Sequence, residues 1–243
     1  MMKKLILVLG LLLPVLALAN VGVQLDRAPI NSADQASLQR GAKVFVNYCL
    51  NCHGAAAMRF NRLRDIGLSD EQIKNNLIFA GQKVGDTMTV AMAAKDAKVW
   101  LGAPPPDLSV IARARGVDWL YTYLRGFYRD DTRPTGWNNT VFDKVGMPHA
   151  LWQLQGEQRL KVEETTDAHG NTVESHMLVL EKPGTMSPVE YDRMVADLVN
   201  YLAFMGEPAK HTRTQLGLIV LLFLSLFFVV ALALKKEYWK DVH

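Results

Sequence analysis

The chain has 243 residues, 49% hydrophobic and 21% charged, with two cysteines and a formal net charge of +3. An apolar half is too rich for a chain that stays disordered, and two cysteines allow at most one bridge, which excludes a disulfide-stapled scaffold. The length allows one or two domains, and so small a basic excess gives no footing for a nucleic-acid partner.

Residues 1–4 are a short basic start, and residues 5–19 are an apolar run that is interrupted by Pro14 and closes on Ala17, Leu18 and Ala19. A basic head, a short apolar middle and a small-residue end predict a cleaved secretory signal, since fifteen apolar residues fall short of a membrane span. The mature chain is expected to begin at Asn20, outside the cytoplasm. Leu38, Ala42, Phe45, Cys49 and Cys52 then step by four, three, four and three, which predicts a helix leading into the cysteines, with Ser32 and Asp34 as candidate caps.

Cys49, Leu50, Asn51, Cys52 and His53 form the run C-x-x-C-H, which reads as covalent attachment of one haem c. On a helix, side chains three apart point the same way, so both thiols reach the vinyl groups of one porphyrin. His53 then falls under the iron as an axial ligand. A thioredoxin-like dithiol wants a strand before the first cysteine, a zinc site wants a second Cys or His cluster, and a disulfide across two residues closes too small a loop to stabilise much. An electron carrier also needs a sixth ligand. Met58 is only five residues past His53, on the same flank of the porphyrin. Met88 and Met92 fall in an alanine-rich stretch expected to be helical and to pack, while Met177, Met186, Met194 and Met205 fall in strand-like or helical patterns. Met147 stands between Gly146 and Pro148 in a segment that combines close backbone approach with stiffness, and His149 is its rival.

Pro104, Pro105 and Pro106 make a rigid extended stretch without backbone donors. Residues 118–126 read as a helix rich in aromatics. Residues 154–184 read as a β-hairpin insertion, with strands at 159–165 and 173–180 around a turn at 167–171. Its acidic residues Glu157, Glu163, Glu164, Asp167 and Glu174 either steer a basic soluble partner or form a solvated face; His169 and His176 read as surface residues. Ser187, Pro188, Val189 and Glu190 form a capping box with proline at the first helical position, followed by a helical apolar period from Tyr191 to Met205 that Gly206 and Pro208 stop. Residues 216–234 carry no charge, and at about 1.5 Å per residue they span roughly 28 Å, the thickness of a bilayer core. Lys235, Lys236 and Lys240 follow, with Tyr238 and Trp239 suited to the headgroup region, which predicts a cytoplasmic C-terminus.

The haem motif, Pro104 to Ser109 with Ile111 to Arg115, Asp118 to Leu124, and Gly146 to His149 together resemble the cytochrome c1 family, the haem-c subunits of the bc1 (ubiquinol–cytochrome c oxidoreductase) complex, in proteobacterial form. The resemblance implies a mainly α, cytochrome c-like haem domain over residues 20–212, carrying the hairpin insertion, with one C-terminal transmembrane helix within residues 213–243. It implies covalent haem on Cys49 and Cys52, iron ligation by His53 and Met147, a haem propionate on Arg115, and a wall of the haem crevice at the triple proline. It further implies partners (cytochrome b, a Rieske iron–sulfur protein, a cytochrome c acceptor and membrane lipid) in a dimeric complex, and a periplasmic haem domain anchored by one pass in a bacterial inner membrane. This chain on its own is then an electron carrier with no catalytic residue. The readings from other classes are a tethered c-type cytochrome serving another oxidase, and a haem enzyme or sensor with an open iron site.

Overall fold

The computed structural model describes residues 23–90, 92–166 and 172–241 of the chain. The expected signal over residues 1–19, the start at Asn20 and the hairpin turn 167–171 with His169 lie outside the described residues. Helix dominates. Helix α1 (Gln35–Val44) runs on into a π-helical turn over Phe45–Cys49, followed by strand β1 (Ala55–Arg59), a 3-10 stretch over Phe60–Ile66, α2 (Asp70–Leu77), β2 (Thr87–Met88) and α3 (Ala94–Leu101). Two short helices follow, α4 (Ile111–Arg115) and α5 (Val117–Arg125), then β3 (Phe127–Arg129), β4 (Trp137–Asn139) and the single turn α6 (Trp152–Gln155). The long hairpin β5 (Gly156–Thr166) and β6 (Thr172–Pro183) precedes α7 (Pro188–Gly206) and α8 (Lys210–Tyr238). Each strand pairs antiparallel with its neighbour in sequence, β1 with β2, β3 with β4 and β5 with β6.

The domain is organised by α1 crossing α7. Of the two candidate caps, Asp34 is the one used, its carboxylate accepting from Ser37 N at 3.0 Å. Ser37, Leu38, Gly41 and Ala42 then form one buried face at helical spacing. Helix α7 starts at the Ser187–Glu190 capping box, with Pro188 in its first turn, and buries Tyr191, Met194, Val195, Leu198, Val199, Tyr201, Leu202 and Met205. The two helices touch backbone to backbone at Gly41, where a Cβ would land on the Asp197 carbonyl oxygen and 2.7 Å from Tyr201 Cβ. Around that point Arg40 grips Asp197 with two bonds, of 2.6 and 3.0 Å, and Asn200 Nδ2 donates to Ser37 Oγ at 3.0 Å and to the Asn31 carbonyl at 2.8 Å. The Phe45 ring packs on Tyr201 at 5.6 Å between centroids.

Two sequence expectations need correction here. The helix before the cysteines stays α only to Val44; Leu50 N then bonds back to Phe45 O at 3.0 Å, the i to i+5 step of a π turn. Met88 sits in no helix: residues 87–88 pair with β1, and Met88 is fully buried there, taking a hydrogen bond from Tyr201 Oη at 3.6 Å. Its expected packing role stands; its expected secondary structure does not.

The hairpin is held at its base. Glu157 joins Arg129 of β3 at 3.0 Å and Lys182 of β6 at 3.0 Å, and Gln158 Nε2 donates to the carbonyls of Arg125 and Phe127. The Arg129 and Lys182 bonds hold the Glu157 carboxyl down at about 2. Its charge is thus consumed inside the fold and takes no part in an open acidic face. Helix α8 contains a 27-residue stretch, Thr212–Tyr238, long and apolar enough to cross a membrane and unburied by the rest of the chain.

Gly41→Ala is expected to lower stability by at least about 1–3 kcal/mol, the usual cost of overpacking, because backbone rather than a flexible side chain stands in the way; denaturant unfolding of the haem-loaded chain measures it, and a loss under about 0.5 kcal/mol contradicts the crossing geometry. For Glu157 the native value lies below its ordinary 4.5, so its contribution is present above that value and declines as pH falls toward about 2. Acid titration of stability is expected to flatten in that window in Glu157→Gln, and an unaltered curve would remove the base clamp.

Candidate functional site: a haem c crevice

Cys49 closes the π turn, and its carbonyl accepts from Cys52 N at 3.1 Å and from His53 N at 2.8 Å. Cys52 and His53 are therefore drawn into one helical turn with Cys49, which keeps both thiols and the imidazole on one short piece of backbone. The two cysteines are not joined to each other, and Cys49 is half-buried while Cys52 is exposed. Burial, and secondarily Cys52, pushes the Cys49 thiol up to about 12. Among the described residues no three His, Cys, Asp or Glu side chains gather to hold a metal ion, which leaves the zinc alternative without a ligand set.

His53 is oriented from outside the motif. Its Nδ1 lies 2.8 Å from the Pro106 carbonyl oxygen. A carbonyl only accepts, so Nδ1 carries the proton and Nε2 presents a lone pair. Burial lowers the His53 pKa against the opposing pull of the Pro106 bond and the Asp107 charge, which keeps the ring neutral as a ligand must be. The Pro106 carbonyl is itself strapped in place: Leu108 N donates to Gly54 O at 2.8 Å, Ala56 N to Asp107 Oδ2 at 2.8 Å and Ala57 N to Ser109 Oγ at 3.0 Å. Asp107 Oδ1 also caps Ser109 N at 2.8 Å. Burial of Asp107 works against its charge, yet these bonds together hold its pKa below the usual range. Pro104 and Pro105 face Cys52 across a small hollow that Val90, Met92 and Ala97 also line, in keeping with the wall role expected of the prolines.

The segment that carries Met147 is fixed at both ends. Upstream, Asn139 Nδ2 donates to the Tyr123 carbonyl at 2.8 Å, while its oxygen accepts from Val141 N and Phe142 N. Asn138 accepts from Lys144 N at 2.9 Å and donates to Asp130 and Asp143. Downstream, His149 is buried, its ring stacked on Phe127 at 4.7 Å with a 6° interplanar angle and meeting Trp137 edge-on at 5.0 Å. Arg129 in turn lies over Trp137 at 4.0 Å. Burial drives the His149 imidazole down to about 4, so it stays neutral. Enclosed between two aromatic rings, His149 anchors the loop two residues past Met147. Met147 is half-buried and its sulfur accepts from Tyr123 Oη at 3.5 Å. Burial pushes the Tyr123 phenol up to about 12, with Arg115 pulling the other way.

Arg115 ends α4, exposed, with its guanidinium 5.1 Å from the Trp119 ring and 6.0 Å from the Phe142 ring. It makes no ion pair among the described residues, so its charge is available to an anionic group. Cys49, Leu108, Trp119 and Met147 all pack against the same buried core. Two thiols in one turn, a neutral imidazole with its outer nitrogen already paired, an ordered thioether and an unpaired guanidinium fit one haem c, and fit no other prosthetic group so well. Sequence reasoning missed Asn138 and Asn139, and it took residues 104–109 as a rigid stretch and a family signature without the bonds they make to His53, Ala56 and Ala57. Asp107 two residues before Ser109 is an Asx-turn signature, and paired asparagines after Trp137 signal side-chain-to-backbone bonding, but neither signal says which backbone is bonded.

Fold and crevice define a c-type cytochrome with a C-terminal apolar helix. The cytochrome C1 family matches residues 26–242. The chain is 55% identical over its whole length, and 99% of the relative's, to a protein of Nitrosomonas europaea named ammonia monooxygenase gamma subunit. It is 50% identical over the full length of both to a cytochrome c1 of Allochromatium vinosum, and 31% identical to a cytochrome c1 of Rhodospirillum rubrum over 86% of this chain and 83% of that one. The chain belongs to the cytochrome c1 family: it is a membrane-anchored haem subunit of the bc1 complex, carries one covalently bound haem c, and has cytochrome b and a Rieske protein as partners.

Asp107→Ala is expected to cost about 1–3 kcal/mol, since it strands the amides of Ala56 and Ser109. Thermal unfolding of the haem-loaded chain measures this, and a change below about 0.5 kcal/mol would show that the strap does not depend on the carboxylate.

Proposed function

We propose that this chain takes electrons from the Rieske iron–sulfur protein and delivers them to a soluble or membrane-bound cytochrome c. In this reading Cys49 and Cys52 would carry the thioether bonds, His53 and Met147 would hold the iron, and Arg115 would pair with a propionate, where a guanidinium suits a carboxylate. The bound haem supplies one-electron redox chemistry. The chain's own residues supply what makes exchange fast and selective: Pro106 holds the His53 ring in one tautomer, and the asparagine pair and His149 hold the Met147 loop. A coordination shell fixed on both sides needs little rearrangement when the charge changes. Methionine opposite histidine also sets a higher potential than two histidines would.

The haem domain, residues 20–212, stands in the periplasm, with the chain crossing the bacterial inner membrane once and ending in the cytoplasm, as part of a dimeric complex. The basic residues after the apolar stretch support that orientation. The observation that carries the assignment is the bond from His53 Nδ1 to the Pro106 carbonyl. It leaves an axial nitrogen free within one turn of the two thiols, in a chain of this family. The name of the Nitrosomonas relative supports a second reading, in which this chain serves an ammonia monooxygenase.

Mild-detergent capture of the native chain, with a reduced-minus-oxidised spectrum and iron–sulfur EPR, is expected to bring haem b and a Rieske signal along with haem c. Capture of haem c alone overturns the donor assignment and favours a free-standing tethered cytochrome; co-capture of ammonia-oxidising activity favours the second reading.

A further inference from the structure

The axial thioether has a neighbour that the family assignment does not account for. Tyr123 Oη stands 3.5 Å from Met147 Sδ and donates to it. Three contacts fix the tyrosine in that position. Its ring stacks on Trp119 one turn earlier, at 4.7 Å and 12°, and meets Phe127 at the start of β3 edge-on at 5.1 Å. Its carbonyl accepts from Asn139, the residue that also holds the start of the loop leading to Met147. Phe127 in turn stacks on His149, two residues past Met147. The hydroxyl and the sulfur are thus held by two ends of one connected structure, and their approach is not left to two independently mobile side chains.

We infer that Tyr123 is a positioning residue for the sixth ligand: its hydroxyl occupies one lone pair of the Met147 sulfur, directs the other toward the iron, and raises the midpoint potential of the haem. A thioether has two lone pairs and is a weak acceptor, so a donor on one of them selects the direction of the other. The hydrogen bond also withdraws electron density from sulfur, which weakens its donation to the metal and favours the reduced state; partners in the outer shell of a metal site act in this way generally. The inference rests on the reading of Met147 as the axial ligand.

The fold contains its own control. Tyr201 Oη donates to Met88 Sδ at 3.6 Å, the same pair of groups in the core between α7 and β2. Tyr123→Phe and Tyr201→Phe delete the same atom from the same kind of contact, only one of them at a proposed ligand. The experiment is potentiometric titration of the haem-loaded full chain, unaltered and in both variants, together with the near-infrared methionine-to-iron charge-transfer band of the oxidised form. Tyr123→Phe is expected to lower the midpoint potential and displace the band, while Tyr201→Phe moves neither. An unchanged potential and band in Tyr123→Phe, or equal shifts in both variants, overturns the inference and leaves Met147 as ligand. Failure of the ligand reading looks different: the band is absent from the unaltered chain, and Met147→His leaves the potential where it was. If Tyr123→Phe does not retain haem, resonance Raman of the unaltered chain in H2O and D2O decides. A shift of the iron–sulfur stretch is expected, and its absence overturns the inference.

Discussion

The architecture depends on a place where a side chain is missing. At Gly41 two helices from opposite ends of the haem domain meet with the Asp197 carbonyl lying where a Cβ would stand. Such an approach fixes α1 against α7 to within a fraction of an ångström, because the surfaces in contact are backbone and cannot rotate away. Everything that follows α1 inherits this precision. The π turn, the two thiols and His53 are the direct continuation of the helix that Gly41 locks.

The crevice is then closed by loops that have little regular structure yet little freedom. On the His53 side, three bonds zip residues 107–109 onto residues 54–57, and a fourth ties 109 to 107. On the Met147 side, two asparagines, a stacked histidine and the Trp137–Arg129–Glu157 chain hold the segment. The hairpin thus does more than decorate the surface. Its base residue Glu157 fixes the arginine that covers Trp137, the ring that meets His149. Side chain-to-backbone bonds of this kind let a loop be as well defined as a helix without the period of one.

How much of this was legible in the chain differs by the kind of interaction. Capping at Asp34 and Ser187, the apolar face of α7, the hairpin and the apolar anchor all came through, because each rests on local periodicity or on a named residue at a fixed offset. The covalently bound haem c came through because two cysteines and a histidine are the letters of its motif. What stayed hidden was carried by backbone atoms or by distance. The Pro106 carbonyl has no letter of its own, and nothing near Gly41 distinguishes it from any other helical glycine. Asn138 and Asn139 went unread, because the strand end and loop they join show only in the fold. Met88 misled through its alanine-rich surroundings, since a two-residue strand exists only through its partner β1. Glu157 counted as one acid among several until its two cationic neighbours, one 28 residues before it and the other 25 after, came into view.

The join between domain and anchor sets a further condition. Helix α7 ends at Gly206 and α8 begins at Lys210, leaving three residues between them; fully extended, they reach about 10 Å. Arg213 shortens even that slack by pairing with Glu207 across the join. A leash so short confines the haem domain to a thin layer above the lipid, where height is fixed and only lateral drift remains. Choice of electron partner becomes a matter of matching altitude: a redox centre that cannot present its edge at that level is excluded by geometry, whatever its affinity for the surface.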